Sequence, residues 1–132
     1  MAAYAIVNVK EIEDMAQRYG YAPNMEARFP TAELGLENSG FSYQRLAPNF
    51  RQPFGHKHKR QEELYVVVGG DGRMKLDDEI IEVGQWDAVR LPSGTTRCVE
   101  AGPDGIEYLA FGAPNTGRAE EDAEPHPNWW TD

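Results

Sequence analysis

Apolar and polar residues alternate with a period of two along most of the chain, and this alternation predicts β-strands. Glycine, proline and aspartate separate the alternating segments about every 8–12 residues, a spacing typical of an all-β sandwich or barrel. The predicted strands are residues 41–46, 63–68, 73–76, 80–83, 88–91, 95–99 and 106–111. We expect turns between them at residues 69–72, 77–78, 92–94 and 102–105.

One segment, residues 9–19, has a helical pattern instead. Its apolar residues between Ile12 and Tyr19 recur at i, i+3, i+4 and i+7, which places them on one helix face. Asn8 can cap the start of this helix and Gly20 can end it. Because only one helix is indicated, the pattern is not that of alternating strands and helices. The prediction is an all-β domain with a short N-terminal helix.

The length of 132 residues leaves room for one domain with one core. We assign residues 1–112 to this domain and residues 113–132 to a C-terminal tail, which holds three prolines, the acidic run at 120–122 and the pair Trp129-Trp130. We expect a loose segment whose tryptophans dock on the barrel or on a neighbouring subunit. The alternative is a lid over the mouth of a pocket.

The net charge of −9, from 22 acidic and 13 basic side chains, argues against a nucleic-acid or anionic-membrane partner. Cys98 is the single cysteine, so an internal disulfide is excluded, a reducing compartment fits, and we expect an inert core thiol. No segment approaches the roughly 20 apolar residues of a membrane helix. These features together predict a soluble, cytoplasmic protein.

The candidate chemistry lies in the segment from His56 to Glu63. His56 and His58 are at i and i+2, so on a strand both imidazoles project from the same face. Glu63 follows a short turn and begins the next predicted strand. Two neutral imidazoles and one carboxylate suit Fe(II), Mn(II), Zn(II) or Ni(II), with coordination positions left open for a substrate.

These residues also carry a family resemblance. His56-Lys57-His58, followed by Glu63 and then Gly70, resembles the first motif of the cupin superfamily, and residues 92–96 (Pro-Ser-Gly-Thr-Thr) resemble the second. The resemblance covers about residues 41–112, and the short segment between the motifs is similar to that of compact single-domain bacterial members. It implies a double-stranded β-helix, or jelly-roll barrel, with the ligands lining the inside near one mouth. It also implies a homodimer.

The chain departs from the family pattern where the fourth metal ligand, a histidine, is expected, because Arg97 stands there. Arginine does not ligate metals, and its charge repels a divalent cation. Two arrangements stay open. His56, His58 and Glu63 bind a metal while Arg97 binds a carboxylate or phosphate of the substrate, or no metal binds and Arg97 pairs with Glu63. In the second case the histidines act as hydrogen-bonding groups or as an acid–base pair.

The expected function is that of a divalent-metal-dependent enzyme, an oxygenase or isomerase, acting on a small anionic organic substrate. Arg97 and Tyr65 are the expected substrate-binding residues, since Tyr65 shares the inward face of its strand with Glu63. The alternative is a metal-free module that binds a small molecule without turnover. A third hypothesis is an interaction protein whose pocket is vestigial. Trp86 is expected mainly to pack in the core.

Overall fold

The computed structural model describes residues 3–117 and 119–132. A 3₁₀ turn spans Val9–Glu11. The other elements follow in chain order: α1 Met15–Arg18, β1 Met25–Arg28, α2 Thr31–Leu34, β2 Gly40–Leu46, β3 Phe54–His58, β4 Glu62–Leu76, β5 Glu79–Gly84, β6 Ala88–Leu91, β7 Arg97–Ala113, α3 Ala119–Asp122 and β8 Ala123–Pro127.

The helix predicted over residues 9–19 is broken into the 3₁₀ turn and α1. Asn8 does cap the first piece, with its side chain accepting from the Lys10 amide. Ile12 is extended, and the Asp14 side chain accepts hydrogen bonds from the amides of both Ala16 and Ala27. Asp14 therefore starts a new helix while it is tied to β1, which interrupts the first one. Within the described residues, no helix has the length and apolar character needed to cross a membrane.

The strands of the described residues form one curled antiparallel sheet, in the order β1-β2-β7-β3-β8, with β4 joined to β7, β5 and β6. The two long strands, β4 and β7, hold it together. The first part of β4 pairs with β6 and with the end of β7, and the second part pairs with β5 and with the start of β7. Each long strand therefore contributes to two parts of the sheet, as a jelly roll requires.

The predicted turns at residues 69–72 and 102–105 are bends inside β4 and β7 instead of chain reversals. Gly70 and Gly105 both have positive φ, and a Cβ on Gly70 would overlap the carbonyl group of Gly105. The pairing register shifts on both sides of Gly70. Because glycine alone fits this close approach without strain, the two strands bend together and curl the sheet into a barrel.

The period-two alternation is confirmed in the core, where the inward side of each strand is buried. Tyr65 and Val67 on β4 are each 2% exposed, and Leu91 on β6 is fully buried. The apolar core consists of Ala16, Met25, Ala27, Leu46, Tyr65, Val67, Met74, Val83, Leu91, Val99, Ala101, Ile106, Tyr108 and Ala110. Trp86 does not belong to it, because it occupies a turn with positive φ and is 70% exposed.

The segment expected to be a loose tail is part of the sheet. Strand β8 pairs with β3 from Phe54↔Pro127 to His58↔Ala123. Trp130 is buried and lies against the guanidinium groups of Arg51 and Arg73. The tryptophans therefore pack on the barrel of their own chain, and β8 covers the edge of β3.

Candidate metal centre

Strand β3 presents both predicted histidine ligands on one side of the sheet. His56 lies directly opposite Arg97 in the β3–β7 pair, and the imidazole rings of His56 and His58 are 5.2 Å apart in an edge-on arrangement. The His58 side chain is 8% exposed, whereas that of His56 is 21% exposed. The cluster thus has a buried side at His58 and a side open to solvent at His56.

Glu63, at the start of β4, brings its carboxylate to both histidines. Its Oε1 atom is 3.1 Å from His58 Nε2 and 3.8 Å from His56 Nε2. This Oε1 atom is buried and makes no hydrogen bond of acceptable geometry. Such a buried carboxylate oxygen requires a partner, and a cation or a protonated histidine nitrogen can be that partner.

Arg97, the first residue of β7, is fully buried beside this carboxylate. Its Nη2 atom lies 3.3 Å from Glu63 Oε1, and its Nη1 atom donates to the carbonyl of Thr95 at 2.9 Å. The Nε and Nη2 atoms are buried without a hydrogen-bond partner. Arg97 therefore holds a fixed positive charge in the interior of the barrel, with Nη2 directed at Glu63 and Nε without a partner.

Burial and neighbouring charges act in opposite directions on the ionisable groups here. Burial raises the pKa of Glu63, but its contacts with His56 and His58 and the charge of Arg97 outweigh burial and lower it to about 2. Burial lowers the pKa of His56, and the Arg97 charge acts in the same direction. The site thus favours an ionised carboxylate beside a neutral imidazole, the protonation states that metal ligands require.

The donor set fits one divalent ion. One nitrogen from each histidine and one Glu63 oxygen all lie within 4.8 Å of one another. Ligands at right angles and about 2.1 Å from a metal are roughly 3 Å apart, so Glu63 Oε1 and His58 Nε2 need little movement to share an ion. Arg97 opposes metal binding, because its positively charged guanidinium contacts the same Glu63 oxygen. His56, His58 and Glu63 are the residues that would hold the metal.

A fourth side chain, Asp122, comes from the C-terminal segment. Its Oδ2 atom is 3.0 Å from His58 Nδ1, on the side of the ring opposite the Nε2 atom that faces Glu63. Asp122 is 4% exposed and also accepts from the amides of Arg60 and Gln61. Sequence reasoning missed Asp122, because nothing distinguishes it within the acidic run of residues 120–122.

Tyr65 is buried next to the cluster and stacks on Tyr108, with ring centroids 5.0 Å apart. The Tyr108 hydroxyl donates to Gln44 Oε1 at 2.9 Å and accepts from Gln52 Nε2 at 3.1 Å. Tyr108 was also missed, although the alternation of residues 106–110 points it inward. Gln44, Tyr108 and Gln52 thus form a chain of hydrogen-bonded polar side chains inside the barrel, beside the ring of Tyr65.

Two other features lie apart from the cluster. A cleft of about 610 Å³ is lined by residues of β4, β5 and β7, among them Arg73, Glu82 and Glu100, and it includes none of the candidate ligands. Cys98 is fully buried, and burial raises its pKa to about 11, so it is an inert thiol in the folded protein. The candidate metal centre is therefore a mostly buried cluster separate from this cleft.

The curled sheet, with its polar cluster inside the barrel, defines a cupin fold, and solved structures bear this out. The chain is similar to a cupin protein from Bacteroides fragilis with a TM-score of 0.71 and 24% identity, over 89% of this chain and 90% of that chain. The predicted double-stranded β-helix with a small helix is therefore confirmed.

Other solved structures share this fold. Oxalate decarboxylase from Bacillus subtilis has a TM-score of 0.75 and 22% identity over 94% of this chain and 33% of that chain. KdgF from Halomonas sp. has a TM-score of 0.68 and 15% identity over 92% of this chain and 99% of that chain. Such low identities show the fold alone, so a function must be argued from the site.

Sequence comparisons match a smaller part of the chain than the structural comparisons do. No protein-family model matches the chain. An uncharacterized protein from Methanocaldococcus jannaschii is 40% identical over 45 residues, which amount to 34% of this chain and 36% of that protein. The match thus spans about a third of that relative's length.

Proposed function

We propose that the cluster of His56, His58 and Glu63 binds one divalent transition-metal ion, and that the protein is a metal-dependent enzyme acting on a small anionic organic substrate held by Arg97. Iron, manganese, zinc and nickel all suit two imidazoles and one carboxylate. A redox-active ion such as iron fits an oxygenase, whereas zinc, which has no redox chemistry, fits an isomerase.

The observation that carries this proposal is the approach of Glu63 Oε1 to His58 Nε2 at 3.1 Å. Asp122 is within hydrogen-bonding distance of the other ring nitrogen, Nδ1, at 3.0 Å. A neutral imidazole that donates from Nδ1 has a lone pair on Nε2. In that form of His58 the lone pair faces a buried carboxylate oxygen, and a metal ion shared by these two electron-rich atoms would stabilise the arrangement.

Arg97 supports the anionic character of the substrate. It is fully buried, and its Nε and Nη2 atoms lack hydrogen-bond partners. A planar guanidinium whose Nε is free and whose Nη2 only loosely contacts Glu63 can bind a carboxylate or phosphate group. The negative charge of such a group also offsets the repulsion between Arg97 and a metal ion.

The bound ion would supply Lewis acidity or redox chemistry to a substrate atom coordinated to it. The residues of the chain would bind and orient the substrate and exclude water. Arg97 orients the anionic group, and the fully buried ring of Tyr65, stacked on Tyr108, helps to exclude water from the inner side of the site. His56, on the more exposed side, leaves a path for the substrate to enter.

A metal-free binding module is the second candidate, and the Arg97–Glu63 contact favours it. At 3.3 Å the guanidinium already balances the charge of the carboxylate. In that case His56 and His58 serve as hydrogen-bonding groups for an organic ligand. Stoichiometric ligand binding that depends on Arg97, without chemical change in the ligand and without metal, would be its signature.

The deciding experiment is elemental analysis of protein purified without chelator or nickel resin. We expect about one equivalent of a transition metal, lost in His56→Ala and in Glu63→Gln. His126→Ala and Glu124→Gln are matched controls, since both residues lie on β8 and pair with each other away from the cluster. A metal-free protein that is folded and gains no thermal stability from added Fe²⁺, Mn²⁺, Zn²⁺ or Ni²⁺ would rule out the metal-dependent enzyme.

We also propose a homodimer. The aromatic rings of Phe41 and Phe111 stack on neighbouring strands, and Leu64 lies beside Phe111 on β4. Phe111 is 39% exposed and Leu64 is 40% exposed. Such adjacent apolar groups on a sheet face suit contact with the same face of a second copy. Light scattering coupled to size-exclusion chromatography, on wild type and on Phe111→Glu, tests this proposal directly.

A further inference from the structure

We propose that Asp122 is a positioning residue of the metal centre, which keeps His58 in the tautomer that has its proton on Nδ1 and its lone pair on Nε2. This inference rests on the proposed metal function. It assigns a role to the C-terminal segment, which contributes no ligand of its own.

The surroundings of Asp122 determine which way its hydrogen bonds run. Its Oδ1 atom accepts from the amide of Arg60 at 2.9 Å, and its Oδ2 atom accepts from the amide of Gln61 at 3.2 Å. Oδ2 is also 3.0 Å from His58 Nδ1. Backbone amides only donate, and an ionised carboxylate only accepts. The His58 ring therefore donates from Nδ1 to Asp122.

The orientation of the ring follows from this bond. With Nδ1 tied to Asp122, the Nε2 atom of His58 faces Glu63 Oε1 at 3.1 Å. Both sides of the ring are buried, since the side chains of His58 and Asp122 are 8% and 4% exposed. A histidine ligand whose second nitrogen donates to a carboxylate has a fixed tautomer and a more basic ligating nitrogen.

The position of Asp122 is in turn set by the segment around it. The Lys59 amide donates to the Asp122 carbonyl at 2.9 Å. Strand β8 begins at the next residue and pairs with β3 along its whole length. In the described sheet, β7 meets β3 at the single pair His56↔Arg97. The strand that carries both histidines is therefore held mainly by the C-terminal segment.

Two variants of similar size test this role. In Asp122→Asn the amide group meets the fewest donors when it faces Arg60, so its oxygen still accepts from His58 Nδ1 and only the negative charge is lost. Asp122→Leu has no acceptor, so the His58 proton moves to Nε2, where it points at Glu63. Glu124→Gln is the matched control, since Glu124 lies two residues away and pairs with Lys57.

The first measurement is the tautomer of His58 in the metal-free protein, from long-range ¹H–¹⁵N NMR spectra at about pH 8.5, where an ordinary imidazole is neutral. His56→Ala and His126→Ala assign the signals of the three histidines. We expect the Nδ1–H form in wild type and in Glu124→Gln, and a shift toward the Nε2–H form in Asp122→Leu. An imidazole without partners also favours the Nε2–H form, so the shift counts only in a variant whose amide chemical-shift dispersion shows an intact sheet.

The second measurement is the affinity for Zn²⁺, used as a probe in competition with a chromophoric chelator. We expect Asp122→Asn to bind Zn²⁺ about 10–100-fold more weakly than wild type, as is usual when an outer-shell carboxylate is lost. Glu124→Gln should bind as wild type does. Amide chemical-shift dispersion shows whether each variant retains its sheet.

The two measurements separate this inference from the proposed function. A wild-type His58 in the Nε2–H form overturns the role of Asp122 even if the Leu variant does not fold. An unchanged tautomer in folded Asp122→Leu, which has no acceptor opposite Nδ1, overturns it as well. If the tautomers behave as expected and wild type binds no metal ion, the proposed metal function fails, and with it the positioning role toward an ion.

Discussion

Arg97 Nη2 lies 3.3 Å from Glu63 Oε1, and the backbone of Arg97 is paired directly with that of His56. A permanent cation thus stands in the position where the cupin resemblance places a fourth metal ligand. We therefore expect the site to bind metal ions less tightly, and anions more tightly, than four neutral or anionic ligands would. This balance can be tested by changing the arginine alone.

Arg97→Met removes the buried charge and retains much of the side-chain volume. We expect Zn²⁺ to bind at least tenfold more tightly, because a like charge close to the ion is removed. Chelator competition measures the affinity, and Arg90→Met is the control, since Arg90 is exposed and pairs with Glu62. Weaker Zn²⁺ binding by folded Arg97→Met would contradict the proposed repulsion.

Gly55→Ala tests the packing of the C-terminal segment on β3. A Cβ at this position would lie 2.7 Å from Trp129 Cε3 and 3.2 Å from the Arg97 carbonyl oxygen. Overpacking of this kind costs about 1–3 kcal/mol, so we expect a lower free energy of unfolding and weaker Zn²⁺ binding. Gly84→Ala is the matched control, because its nearest neighbour, Asp87 Oδ2, is 4.0 Å away. Equal urea midpoints for the two variants would refute the close contact.

Tyr108→Phe tests the polar chain inside the barrel. Without the hydroxyl, Gln44 Oε1 loses its donor and Gln52 Nε2 loses its acceptor. Leaving buried polar groups unpaired costs about 1–3 kcal/mol. Tyr43→Phe removes a hydroxyl that bonds Glu107 at the surface, and it should change stability by less than about 0.5 kcal/mol. Urea denaturation compares the two, and a similar loss in both would argue against a structural role for the internal chain.

The lowered pKa of Glu26, a residue outside the candidate metal centre, predicts that the stability of the protein depends on pH. Burial raises its pKa, but Lys10, Arg28 and Arg45 lower it from the ordinary 4.5 to about 2. The folded protein thus holds the ionised form more strongly than the unfolded chain does. The resulting stabilisation is complete above about pH 4.5 and is lost as the pH falls toward 2.

Comparison with Glu26→Gln isolates this contribution. We expect wild type to be more stable by about 1–2 kcal/mol near pH 7, and we expect the difference to shrink below pH 4.5. Urea titrations between about pH 3 and pH 7 measure it. Glu62→Gln, which removes an exposed ion pair with Arg90, is the control for a general charge effect. A difference that grew on acidification would reverse the assigned sign.

Much of the barrel follows from local pattern, because each inward residue of a strand is flanked by outward ones, as in Tyr65 and Val67 of β4. The bends within β4 and β7 are predicted as turns, because glycines such as Gly70 and Gly105 usually mark chain reversals in a sequence. Strand β8 could not be predicted, since Pro125 and Pro127 lack amide donors and argue against a strand. They are tolerated because β8 uses only one edge for pairing.

Some residues of the candidate site could likewise be predicted from the sequence, whereas others could not. The geometry of a strand is enough to place His56 and His58 on one face of β3, and Glu63 could be grouped with them because it follows closely in sequence, at the start of β4. Asp122 lies 64 residues after His58 and has two acidic neighbours, so only the folded chain reveals which carboxylate turns inward. The contact of Arg97 with Glu63 was one of two arrangements that the sequence left open.

The pairing of β3 with β8 also sets the order of events during synthesis. The ribosome releases His56 and His58 long before Asp122, since the chain emerges at about 5–20 residues per second from its N-terminus. Until residues 119–127 have left the exit tunnel, the histidine-bearing strand lacks its main neighbour and His58 lacks its carboxylate partner. We therefore expect a nascent chain that lacks residues 119–127 to capture metal poorly, and the full affinity to arise only after this segment has emerged.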